Sequence, residues 1–202
     1  VYGGGFTGAS LGDETIILTD TTLAAATLTP TINNYSTVAI NANSVETLTG
    51  TNAEILAVFT ADEATPATLI VDGNLNLTVS DGITVAEANV LAGKTSGAVT
   101  ATISQQEISD LTGLSETGHA YTITVETAAV TASDLNDVNA VTTENITATA
   151  VTKITGTLTQ LATTYGGGFA AGNLGDETIV LTDTTAAAGD LSTANGYTTG
   201  AL

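Results

Sequence analysis

Cysteine, methionine, tryptophan and arginine are all absent from this 202-residue chain, and its only basic side chains besides the single histidine, His119, are Lys94 and Lys153. The lack of cysteine excludes a disulfide framework, thiolate chemistry and any zinc site built on sulfur. Two lysines against 21 Asp and Glu leave a net charge of −19. A chain so poor in cations does not clasp a nucleic-acid backbone or an anionic membrane surface, both of which are bound by neutralising phosphate with Lys and Arg. Aromatic residues make up only 4%, so the core must be thin and built of small side chains. No apolar run approaches the ~20 residues that cross a bilayer, and no membrane insertion is expected.

What the chain does have is repetition. Tyr2-Gly-Gly-Gly-Phe6, Leu11-Gly-Asp-Glu-Thr-Ile16 and Leu18-Thr-Asp-Thr-Thr22 return as Tyr165-Gly-Gly-Gly-Phe169, Leu174-Gly-Asp-Glu-Thr-Ile179 and Leu181-Thr-Asp-Thr-Thr185. The offset is constant (165 − 2 = 163) through Leu28 and Leu191, which points to tandem duplication. The chain opens on Val1 and the second copy stops partway, at Leu202, so it reads as a window cut from a longer array.

Within the large period lie smaller units. Thr15–Thr19, Leu75–Val79, Tyr121–Val125 and Thr178–Thr182 are β-branched runs with strand character. Short helical turns follow them, each expected to face an apolar residue inward: Leu28, Leu91, Leu135 and Leu191. Alternating runs come next at 38–42, 99–103 and 146–150, with the period of strands buried on one face. Three closing phrases end in Gly50, Gly113 and Gly156, expected to occupy equivalent corners. Thr51 with Glu54, Thr84 with Glu87, and Thr157 with Gln160 are spaced as capping boxes that open helices.

This pattern divides the chain into a Gly-rich connector (1–14) and repeat units at 15–74, 75–120, 121–177 and 178–202, the last partial and the third ending in a second Gly-rich connector. The expected fold is mainly β: a repeat solenoid of parallel β-helix-like coils with short corner helices. Tandem β-sandwich domains are the alternative.

Leu-Thr-Asp-Thr-Thr, Thr131-Ala-Ser-Asp-Leu-Asn136 and Ile154-Thr-Gly-Thr157 resemble the repeat regions of giant secreted cell-surface proteins of marine cyanobacteria, of the swimming-motility and adhesin-like kind. The resemblance implies an extracellular, cell-surface and calcium-rich setting, with a structural or adhesive role and no catalytic residues. Neighbouring repeats or copies of the same chain are the implied partners, with other surface proteins or polysaccharide behind them.

The acidic surface has three readings: solubility in salty water, calcium binding, and attraction to a cationic partner. Asp13, Glu14 and Asp20 in the first copy, and Asp176, Glu177 and Asp183 in the second, are the calcium candidates, since Ca²⁺ takes six to eight oxygen ligands and turn carboxylates supply them. Calcium is the one cofactor expected. His119 lies in Gly118-His119-Ala120 without a nucleophile or orienting acid in any motif, and is read as a turn residue. The glycine runs 3–5 and 166–168 lack the lysine and spacing of a phosphate loop. Sequons at Asn34, Asn76 and Asn145 arise readily in so Thr-rich a chain. The sequence therefore favours a non-enzymatic structural segment, acting as spacer and self-association surface of an extracellular or fibre-forming protein. An adhesin or carbohydrate-recognition module is the alternative, weakened by the absence of tryptophan and the scatter of the five tyrosines.

Overall fold

The structure, a computed structural model, describes residues 15–32 and 36–202. The connector 1–14 with its calcium candidates Asp13 and Glu14, and the sequon residue Asn34, lie outside the described residues. In chain order the elements are β1 (Thr22–Ala24), a helical turn (Thr27–Thr31), β2 (Ile40–Asn41), β3 (Thr47–Gly50), α1 (Asn52–Asp62), β4 (Leu69–Ile70), β5 (Asn76–Ile83), α2 (Val85–Ala92) and β6 (Val99–Ile103). There follow α3 (Ile108–Leu111), β7 (Ala120–Thr122), β8 (Ala129–Thr131), α4 (Ala132–Val141), β9 (Lys153–Gly156), α5 (Leu158–Thr164), β10 (Thr178–Leu181) and α6 (Ala188–Asn195). The chain forms two compact units, Val1–Gly82 with Val90–Ala101, and Ile83–Asn89 with Thr102–Leu202.

In the first unit β1, β3, β5 and β6 lie side by side in that order, and β2 lies beside β4. β1 pairs with β3, and β3 with β5, in parallel, which places Leu23, Leu48 and Leu77 in one line. Leu48 and Leu77 are fully buried. Each such side chain contributes about 1.5–3 kcal/mol by leaving water. The polar residues alternate with them, as the two-residue period of a strand requires: Thr22 and Asn76 are exposed and Thr47 is half-buried. α1 comes next because Thr51 caps it and because Ile55, Val58 and Phe59 then recur on one buried face.

The second unit repeats the scheme. Its strands run in the order β10, β9, β8, again parallel, and Val130, Ile154 and Ile179 are aligned and buried. Isolated parallel bridges from His119 to Thr142, Thr124 to Thr147 and Ile146 to Phe169 extend the pairing. Paired residues are separated by similar lengths of chain in both units, for example 47 − 22 = 25 in the first and 153 − 129 = 24 in the second.

The mainly-β expectation is overturned. The fold is mixed α/β, 30% helix and 24% strand, with parallel sheets and several helices; it is neither a mainly-β solenoid nor a sandwich. The helices outgrow the one or two turns read from sequence because apolar residues keep recurring past the caps, as Leu135, Val138 and Val141 do in α4. The pairs with a described register are all parallel, whereas a sandwich is built from antiparallel strands.

Two local expectations also change. Gly50 and Gly156 end β3 and β9, but Gly113 follows the helix α3, so the three closing phrases are not equivalent. Leu28, Leu91 and Leu135 are fully buried, yet Leu191 on α6 is 38% exposed.

Candidate functional site

The candidate site is a device that recurs at helix starts. In α1 the Thr51 side chain accepts from the Glu54 N–H at 3.3 Å, while Glu54 Oε2 accepts from the Thr51 N–H at 2.8 Å. In α5 Thr157 and Gln160 do the same, at 3.3 and 2.9 Å. These reciprocal bonds satisfy two of the N–H groups that every helix leaves open, and such caps stabilise by about 1 kcal/mol.

The first helical N–H lies beyond the reach of the capping box and is taken by a side chain from later in the chain, within β5 for α1, just past β6 for α2, between β7 and β8 for α3, and just past β10 for α5. Asn52 donates to Asp81 Oδ1 at 2.8 Å, and Leu158 donates to Asp183 Oδ2 at 2.8 Å. Val85 donates to Gln105 Oε1 at 2.7 Å. Ile108 donates to Thr127 Oγ1 at 2.8 Å, and that hydroxyl donates in turn to Glu107 Oε2 at 2.7 Å. In each case the acceptor lies 19 to 29 residues further along the chain. An acidic acceptor here also meets the positive end of the helix, which adds about 0.3–1 kcal/mol.

Where the neighbouring strand offers no acceptor it offers a glycine. A Cβ on Gly156 would stand 2.7 Å from the Ala132 Cβ at the start of α4, and one on Gly50 would stand 3.3 Å from the Ala25 Cβ. These glycines permit close approach of two layers; Gly50 also has a φ of +155°.

The acidic candidates read from sequence are put to separate uses. Asp183 caps α5. Glu177 is fully buried, and its carboxylate accepts from Tyr165 Oη at 2.9 Å and from the Gly175 N–H at 2.9 Å. Burial first, then the bond to Glu177, then the charges of Glu177 and Asp176 hold the Tyr165 phenol above its ordinary range. Asp176 and Asp20 are exposed. Among the described residues no group of three or more His, Cys, Asp or Glu side chains is placed to hold a metal ion.

Tyr165 stacks on Tyr197, ring centres 4.9 Å apart and 5° from parallel. Tyr197 also borders an open depression of about 480 Å³ between α5 and α6, with Leu158, Asp183 and Asp190 on its walls. His119, read as a turn residue, instead pairs with Thr142 at the edge of β7. Its pKa is lowered by burial, which outweighs the opposing pull of Glu116. Lys94 is held by both oxygens of Glu63, at 2.6 and 2.8 Å. Being exposed, that pair contributes about 0–1 kcal/mol.

Sequence reasoning missed the capping roles of Asp81, Gln105, Thr127 and Asp183. The signal was present in the shared ending of Leu75-Asn-Leu-Thr-Val-Ser-Asp81 and Thr178-Ile-Val-Leu-Thr-Asp183, where an Asp closes a β-branched run. No family model, curated protein or solved structure matches the chain.

Proposed function

We propose that the chain is a structural repeat segment of an extracellular cell-surface or fibre-forming protein, acting as spacer and self-association surface. The observation that carries this reading is the relay of caps, in which a helix start is closed by a side chain 19 to 29 residues further along the chain: Asp81 on α1, Gln105 on α2, Thr127 on α3 and Asp183 on α5. Such a relay suits a chain that stacks like units, because each added layer completes the one before it. The 163-residue duplication and the strongly acidic, cysteine-free composition fit the same use. Sedimentation equilibrium of residues 1–202 across a wide concentration range tests it. The expected result is an average mass that climbs above the 20.0 kDa of one chain as concentration rises. A mass fixed at 20.0 kDa would count against self-association and favour a recognition module.

A further inference from the structure

We infer that the outward edge of Thr15–Asp20 is a docking edge for the β9–α5 strand–helix unit of a second copy of this chain. This deepens the self-association reading and rests on it. Thr15-Ile-Ile-Leu-Thr-Asp20 and Thr178-Ile-Val-Leu-Thr-Asp183 are identical at five of six positions, differing only at Ile17 and Val180. The second of these segments shows what the first is built to hold. There Thr178–Leu181 pairs in parallel with Lys153–Gly156, the Thr182 N–H donates to the Gly156 carbonyl at 3.1 Å, and Asp183 accepts from the Leu158 N–H at 2.8 Å.

Among the described residues the first segment is paired along one edge only. The Leu18 N–H donates to the Asn41 carbonyl at 2.8 Å and the Asn41 N–H donates to the Ile16 carbonyl at 2.9 Å, which commits that edge to Asn41. On the opposite edge no described residue pairs with Ile17, which is 62% exposed against 37% for Val180. Asp20 is exposed and makes no hydrogen bond to any described residue, although its counterpart closes a helix. A strand edge that no described residue pairs with, carrying an exposed isoleucine and a carboxylate bonded to none of them, matches one ligand: a strand ending in Gly, followed by a Thr-x-x-Gln helix start.

The copy that supplies this unit releases its own β10 as Thr15–Asp20 takes the place. The exchange replaces like with like, so the pairings broken and formed nearly cancel in free energy, as in domain swapping. The negative charge at Asp20 meets the positive end of α5 and offsets part of the repulsion between two acidic chains.

The absence of cysteine makes a direct test available. Val180 stands in register with Thr155, so docking sets Ile17 of one copy beside Thr155 of the other. Neighbouring strands lie about 4.8 Å apart, within the span a disulfide closes. Full-length Ile17→Cys and Thr155→Cys proteins are mixed in equal amounts in a glutathione redox buffer, and the mixed disulfide is followed by mass spectrometry. It is expected to form about tenfold faster than with Val90→Cys, an exposed control, in place of Ile17→Cys, because docking raises the local thiol concentration. Adding Asp20→Lys to the Ile17→Cys protein should erase that advantage. Equal rates for Ile17→Cys and Val90→Cys overturn the docking edge. If the chain self-associates all the same, the spacer reading survives that failure; if it stays monomeric, both fall.

Discussion

Leu28 and Leu191 occupy the same place in two copies of one sequence, yet the first is fully buried and the second is 38% exposed. In the first copy the strand β1 lies against β3, and the helical turn that carries Leu28 packs against α1, so a further layer covers the leucine. In the second copy α6 packs against α5, the layer before it, and its outer side carries the exposed Leu191. The same residues are therefore core or surface according to whether another layer lies beyond them. Burial here is a property of stacking more than of composition.

The largest effect should come from testing those two leucines. Leu28→Ala is expected to cost about 2–5 kcal/mol, the range for a core leucine that leaves a cavity. Leu191→Ala should cost no more than about 0.5 kcal/mol, as surface changes do. Urea unfolding midpoints of the two variants measure the gap, and equal shifts would mean that the two copies are packed alike.

A smaller difference is expected at the paired aspartates. Asp183→Ala removes the acceptor for the Leu158 N–H and should destabilise by about 0.5–2 kcal/mol. Asp20→Ala, at an exposed carboxylate, should lie within about 0.5 kcal/mol of the parent in dilute solution. Thermal melts at low protein concentration compare them, and a large loss for Asp20→Ala would show that this carboxylate already serves its own chain.

The smallest effect runs the other way. Gly189 stands in α6 where the first copy has Ala26, and a Cβ there meets nothing within 4 Å. Gly189→Ala should stabilise by about 0.5–1 kcal/mol through helix propensity alone. Circular dichroism during melting reads it, and a loss of stability would reveal a neighbour on that face.

The part of the fold that is legible in the sequence is local. The Thr-x-x-Glu/Gln pairs at Thr51, Thr84 and Thr157 mark helix starts, and each makes the expected bonds. The run at Thr178 is a strand, but Thr15–Thr19, with nearly the same residues, shows only a single bridge at Ile17. Helix length, and the fold class with it, is obscured because Ala, Thr and Asn between the apolar positions of α1 and α4 blur the periodicity. The contacts of the acidic residues are hidden for a different reason. Whether Asp183 faces solvent, a cation or a helix end depends on register with Leu158, which lies 25 residues away. Glu177 has the sequence context of a turn acid, although its carboxylate lies under Tyr165, twelve residues earlier.

The relay of caps also sets a direction in time. A helix start such as Asn52 waits for Asp81, and Leu158 waits for Asp183, so the carboxylate that seals it is always the later of the two to be synthesised. At roughly 5–20 residues per second of translation, the 19 to 29 intervening residues amount to a delay of about one to six seconds. During synthesis the starts of α1, α2, α3 and α5 thus stay unsealed until a later segment emerges to close them.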